Sequence, residues 1–129
     1  MPTNRFAENY PCYANITIGP GNGTNAVQSS PAVTVPHRWD AGYASSSAPI
    51  AHDLRLDAYV GAVSYYLGTV SIPSGAGYTT VPSVNVINLL VTTPDDGIVL
   101  PASAVLRATL AVTLGAGEAL VVALVGGSL

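Results

Sequence analysis

The chain predicts an all-β fold, an antiparallel β-sandwich (jelly-roll-like) or a small barrel, with an extended N-terminal arm. Three observations carry that expectation. Apolar residues recur at every second position, as in Leu54, Leu56, Ala58 and Val60 set against Arg55, Asp57 and Tyr59, which is the spacing of a half-buried strand. No stretch places apolar residues at i, i+3, i+4 and i+7 opposite a charged face, so little helix is expected. Glycine and proline punctuate the pattern at roughly ten-residue spacing, as in short strands joined by turns.

Residues 1–50 hold six of the ten prolines and the segment Gly-Pro-Gly-Asn-Gly at 19–23. Proline removes a ladder donor and glycine frees the backbone, so long regular elements are not expected here. Two short strands fit, Tyr13 to Ile18 and Ala32 to Val35, while Ala41 to Ser47 reads as a loop of small polar residues. This third is read as an arm, with residues 51–129 as the β domain. From residue 53 the alternation sharpens and continues through Val63, Tyr65 and Leu67. Val70 and Ile72 then fall on the opposite parity, and Gly68 stands where a β-bulge would insert the extra residue. Pro73 to Gly77 is a loop. Val84 to Val91 is apolar on both parities, as in a strand covered on both sides, and Pro94-Asp-Asp-Gly97 is a tight-turn sequence. Ala104 to Leu114 alternates cleanly, Gly115-Ala-Gly-Glu118 supplies a turn, and Ala119 to Val125 returns, which together predict a closing hairpin.

Composition narrows the function classes. Only 9% of the 129 residues are charged, against roughly 25% in an ordinary soluble domain. All four basic residues are arginines, and the net charge is −3. Phosphate binding needs clustered Lys and Arg, so nucleic acid is not expected as a partner. The longest wholly apolar run, Ala119 to Val125, has seven residues, against roughly 18 for a membrane span. Met-Pro-Thr-Asn-Arg-Phe lacks the apolar core of a secretory signal. The glycosylation-like triplets at Asn15 and Asn22 therefore carry little weight. Cys12 stands alone, so it supports no internal disulfide.

Candidate chemistry is sparse. His52, Asp53 and Asp57 offer metal-ligand types, but Asp53, Arg55 and Asp57 share the polar face of one strand and read as a solvated face with a local Arg–Asp ion pair. Asp95-Asp96-Gly97 lacks the alternating oxygens and distal glutamate of a calcium loop. Gly19, Gly21 and Gly23 precede no helix and are too short for a dinucleotide fingerprint. No serine sits in a Gly-x-Ser-x-Gly elbow, and no basic residue near Cys12 would activate its thiol. No catalytic residue, cofactor site or metal site is therefore expected. The seven tyrosines (Tyr10, Tyr13, Tyr43, Tyr59, Tyr65, Tyr66, Tyr78) could stack sugars, but they also suit core margins with wet hydroxyls. His37-Arg38-Trp39-Asp40 gathers the single tryptophan with an arginine, residue types enriched at interface anchors.

The charges are unevenly placed, seven in residues 1–57, none in 58–94 and four in 95–129. A 37-residue uncharged span must include surface. Such a surface lacks like-charge repulsion, and edge strands without lysine lack a common guard against pairing. With its Pro/Gly-rich arm over residues 1–50, lysine-free β domain and closing run Ala104 to Val125, the chain resembles small structural proteins of tailed-bacteriophage virions, in particular capsid decoration (cement) proteins. That resemblance implies a β-sandwich or barrel-like module, often trimeric, clamping adjacent major capsid subunits, with no catalytic residues. The expectation is a non-enzymatic protein on the virion capsid surface, made in the host cytoplasm. Its partners would be the major capsid protein and copies of itself as a homotrimer, with neither nucleic acid nor membrane. Arg5, Phe6, Tyr10, Tyr13, His37, Arg38 and Trp39 are the expected interface residues. A receptor- or glycan-binding module of a phage fibre or tail is the alternative.

Overall fold

The computed structural model describes residues 11–90 and 97–129. Nine strands, one 3-10 turn and one short helix follow in order: β1 (Pro11–Ile18), the 3-10 turn (Pro20–Asn22), β2 (Ala26–Ser29), β3 (His37–Ser46), β4 (His52–Val60), β5 (Val63–Ile72), β6 (Val84–Asn85), α1 (Val86–Leu90), β7 (Ile98–Leu100), β8 (Val105–Leu110) and β9 (Leu120–Ser128). They form two packed antiparallel sheets. Sheet A runs β1-β9-β3, with β7 and β6 end to end along the other edge of β3, opposite His37–Trp39 and Tyr43–Ala44; sheet B runs β2-β8-β4-β5. The fold is an all-β sandwich, and neither sheet closes into a barrel. No helix among the described residues is long and apolar enough to cross a membrane.

Alternation explains the core. Leu54, Leu56, Leu106, Ala108, Leu110 and Ile72 point inward from sheet B, and Ile16, Ile18, Ala44, Leu120, Val122 and Leu124 meet them from sheet A. The expected bulge is present: Leu56 pairs with Gly68 and Asp57 with Tyr66, so Leu67 is the extra residue. Gly68 has φ 155°, and a Cβ there would stand 2.6 Å from Leu90 Cδ2. Its glycine thus serves both the bend and the close approach of α1.

Four sequence expectations change. Residues 11–46, expected within an arm of short strands, supply β1, β2 and β3 to the sandwich itself. Ala41 to Ser47, expected as a loop, lies almost wholly in β3, where Ala44 and Ser46 are buried and Tyr43 faces out. Small residues are tolerated there because β3 is flanked on both sides; Gly42 has Leu124, Ile87 and Val122 within van der Waals reach of its Cβ position. Ala32 to Val35 is irregular, with the Val33 carbonyl accepting from the Ser103 N–H at 2.7 Å. Val84 to Leu90 is a two-residue strand and a helical turn. There the Asn85 side-chain oxygen accepts from the backbone N–H of Asn88 (3.4 Å) and of Gly42 (3.1 Å), a capping role that periodicity does not reveal.

The predicted closing hairpin is also absent. β8 pairs with β2 and β4, whereas β9 pairs with β1 and β3, so residues 111–119 cross from one sheet to the other. Leu114 is buried in that crossing. Two alternating runs are each satisfied by any strand of matching length, and only the packing of both sheets selects the partner. A tight hairpin instead joins β4 to β5, turned at Gly61 (φ 56°) and Ala62 (φ 65°), as a two-residue primed turn requires.

Candidate docking surface

The expected interface set does not form one patch. Arg5, Phe6 and Tyr10 lie outside the described residues. His37 and Trp39 point into the core, at 0% and 1% exposure, with their rings edge-to-face at 5.7 Å. A strand that buries residue 37 also buries residue 39, so both leave the surface together. Neither side chain offers a face to a partner. Arg38 points the other way, is 16% exposed at its side chain, and donates from Nε to Asp40 Oδ1 at 2.5 Å. Tyr13 is the exception, exposed by 74% on edge strand β1.

Tyr13 belongs to the outer face of sheet A. The registers place Tyr13 beside Val125 and Ala41, Asn15 beside Ala123 and Tyr43, and Thr17 beside Val121 and Ser45. All nine lie on the outer parity, by alternation with buried Ile16, Val122, Leu124 and Ala44, and Ala41 alone among them is itself buried, at 4% exposure. None is charged. The floor is made of small side chains, flanked diagonally by Tyr13 and by Tyr43 at 45% exposure. A strip of this kind can bury apolar and hydroxyl groups of another surface without stranding a charge. It holds no carboxylate, imidazole, thiol or guanidinium group, and its hydroxyls have no such partner within the strip. Of the residues expected at an interface only Tyr13 lies on this strip, because Tyr43 and Ala123 join it only when β9 lies between β1 and β3.

The outer face of sheet B is chemically different. Arg55 donates from Nε and Nη2 to the two oxygens of Asp57 at 2.9 and 3.3 Å, and Ser64 Oγ donates to Oδ2 at 2.7 Å. The Arg55 guanidinium lies 4.7 Å from the Tyr66 ring centre, and that of Arg107 lies 3.4 Å over Tyr59. Burial pushes the Asp57 carboxyl up. The hydrogen bonds from Arg55 and Ser64 and the charges of Arg55 and Arg107 outweigh it and hold the group below its ordinary value near 3.8. The hydrogen bond and charge of Asp57 in turn hold Arg55 above its usual range.

A depressed folded value stabilises the fold above the unfolded value and loses that stabilisation as pH falls through the folded one. The stability difference between the parent chain and Asp57→Asn is therefore expected to be full at neutral pH and to shrink below about pH 4. Thermal melts across pH 2–7 check this, and a difference that grows toward acid contradicts it.

Metal and catalytic readings gain no support from geometry. His52 points inward with Leu54, whereas Asp53 and Asp57 point out, so the strand itself separates the three. Among the described residues no three His, Cys, Asp or Glu side chains come together as a metal cluster. A shallow groove of about 410 Å³ lies between Ile50–Asp53 and Leu110–Thr113. It gathers His52 and Asp53 with apolar chains but no nucleophile paired to a base. Asp95 and Asp96 lie outside the described residues. No family model matches the chain, and no curated protein or solved structure matches it.

Proposed function

We propose that the protein is a non-enzymatic structural component of a virion that docks on the outside of a phage capsid and stabilises contacts between major capsid subunits. The observation that carries this reading is an uncharged strip on the outer face of sheet A, beside the Arg38–Asp40 pair, nine residues across three strands with Tyr13 standing 74% exposed at its edge. A tyrosine of that exposure offers roughly 150 Å² to a partner, on the order of 4 kcal/mol of gross apolar burial before association costs. A rigid sandwich presents such a strip at fixed geometry, and the low charge of the chain lets many copies crowd on one lattice.

The test is co-sedimentation with phage capsids. Ala123→Glu puts an unpartnered carboxylate in the middle of the strip and is expected to weaken capsid binding at least about tenfold, with the thermal midpoint little changed, because residue 123 already faces solvent. Capsid binding unaffected by Ala123→Glu and by Tyr13→Ser would remove the basis of the proposal. Tyr13, Asn15 and Tyr43 on one face also favour a second reading, glycan binding. Retention on immobilised oligosaccharide that Tyr13→Ser and Ala123→Glu abolish, without capsid binding, would select it.

A further inference from the structure

The charges of the described residues are nearly all paired. Arg38 bonds Asp40 and Arg55 bonds Asp57, while Glu118 accepts from the backbone N–H of Gly115 at 3.1 Å. Two charged side chains among the described residues make no hydrogen bond, Arg107 and Asp53. They are of opposite sign, and both project from the outer face of sheet B: Arg107 sits beside Asp57 in the β8–β4 register, and Asp53 is four residues from Asp57 along β4. The Arg107 Nε is buried without an acceptor, and its guanidinium is held flat on Tyr59. Its direction is thus set in advance rather than searched for on binding.

Strand geometry separates the two groups by about 14 Å, four residues along one strand and one strand across. A patch carrying one cation and one anion apart on one face is self-complementary under a two-fold axis that lies in the plane of the interface, midway between the two groups and perpendicular to the line joining them. The cation of each copy then meets the anion of the other. The surroundings suit such contact. Ser29, Thr69, Ser71 and Thr109 bring no further charge, and the Arg55–Asp57 pair is internally neutral.

We infer that a second copy of the chain docks face to face on sheet B, with Arg107 of each copy bonded to Asp53 of the other. This is a separate surface from the strip on sheet A and stands independently of what that strip binds. The face covers about 380 Å² per copy, four strands by some six residues. Standard stable interfaces bury about 800 Å² per partner, so the association is weak and appears toward millimolar chain. A guanidinium–carboxylate fork supplies direction as well as energy, and the pairs are screened by salt.

The test is sedimentation velocity on the full chain. The parent chain is expected to form a dimer as concentration rises and to lose it as salt increases. Asp53→Arg and Arg107→Glu each place like charges across the axis and are expected to weaken the dimer at least about tenfold. Their equimolar mixture restores both attractive pairs, because each introduced residue finds a partner of opposite sign, and is expected to associate although neither variant does alone. That mixture cannot succeed if either variant has merely unfolded. Arg107→Gln, which keeps size and loses charge, is expected to weaken self-association without repulsion. A parent chain monomeric at millimolar concentration overturns the inference. So does a dimer indifferent to both reversals, or a mixture that stays monomeric while both variants remain folded by circular dichroism.

Discussion

Replacing Trp39 with alanine is expected to cost about 3–5 kcal/mol of folding stability, a large share of the 5–15 kcal/mol that holds a typical domain. Trp39 is 1% exposed and ranks with Leu54, Leu56 and Leu124 among the largest fully buried side chains. It stands in β3, the strand that joins β9 to β6 and β7, so a cavity there loosens sheet A at its centre. Trp39→Phe has a milder expectation, below about 1.5 kcal/mol. It removes an indole N–H that finds no acceptor, next to a His37 Nε2 that is likewise unpartnered. The His37 Nδ1 must carry the ring proton, since it donates to the Val35 carbonyl at 3.0 Å. Urea unfolding measures both variants. A Trp39→Ala chain with unchanged midpoint and impaired docking would place the tryptophan at an interface after all.

Gly126→Ala is expected to be at least as damaging, costing about 3 kcal/mol or more. Gly126 pairs with Trp39 in the β9–β3 register, just before the irregularity between Trp39 and Ala41. A Cβ at residue 126 would collide with the Arg38 carbonyl oxygen and stand 2.9 Å from Trp39 Cα. Both obstacles are backbone, so no rotamer change relieves them, and the central strand pair of sheet A must part. Gly21→Ala is the control, because nothing lies within 4 Å of a Cβ there and the residue is exposed. A midpoint for Gly126→Ala within error of Gly21→Ala would refute the account of why β9 ends in Val-Gly-Gly-Ser.

The alternation around Leu54 to Val60 carried its information openly, because a half-buried strand writes its two faces into successive residues. The parity flip at Gly68 was equally legible, and so was the Arg55–Asp57 pair, which needs only two like-facing positions on one strand. β3 was not legible. His37 to Ser46 mixes polar, aromatic and small residues, and its burial depends on neighbours on both edges, β9 on one side and β6 and β7 on the other. Asn85 could not announce a helical cap when the residues around it, Val84 to Val91, read as strand. The docking strip was hidden for the same reason. Tyr13, Ala123 and Tyr43 are up to 110 positions apart in the chain and become neighbours only through the order β1-β9-β3.

By itself the amino-acid sequence determined the all-β class, the faces of β4 and β8, the bulge, and the scarcity of charge, because each depends on local spacing or on composition. In β5 the alternation misled at Val63 and Tyr65, which are about half exposed. Tertiary structure decided which strands pair, that Trp39 and His37 belong to the core, and where the neutral strip and the charged groups lie. Alternation specifies two faces for a strand but not its neighbours, and partners are selected only when both sheets bury their apolar sides against one another.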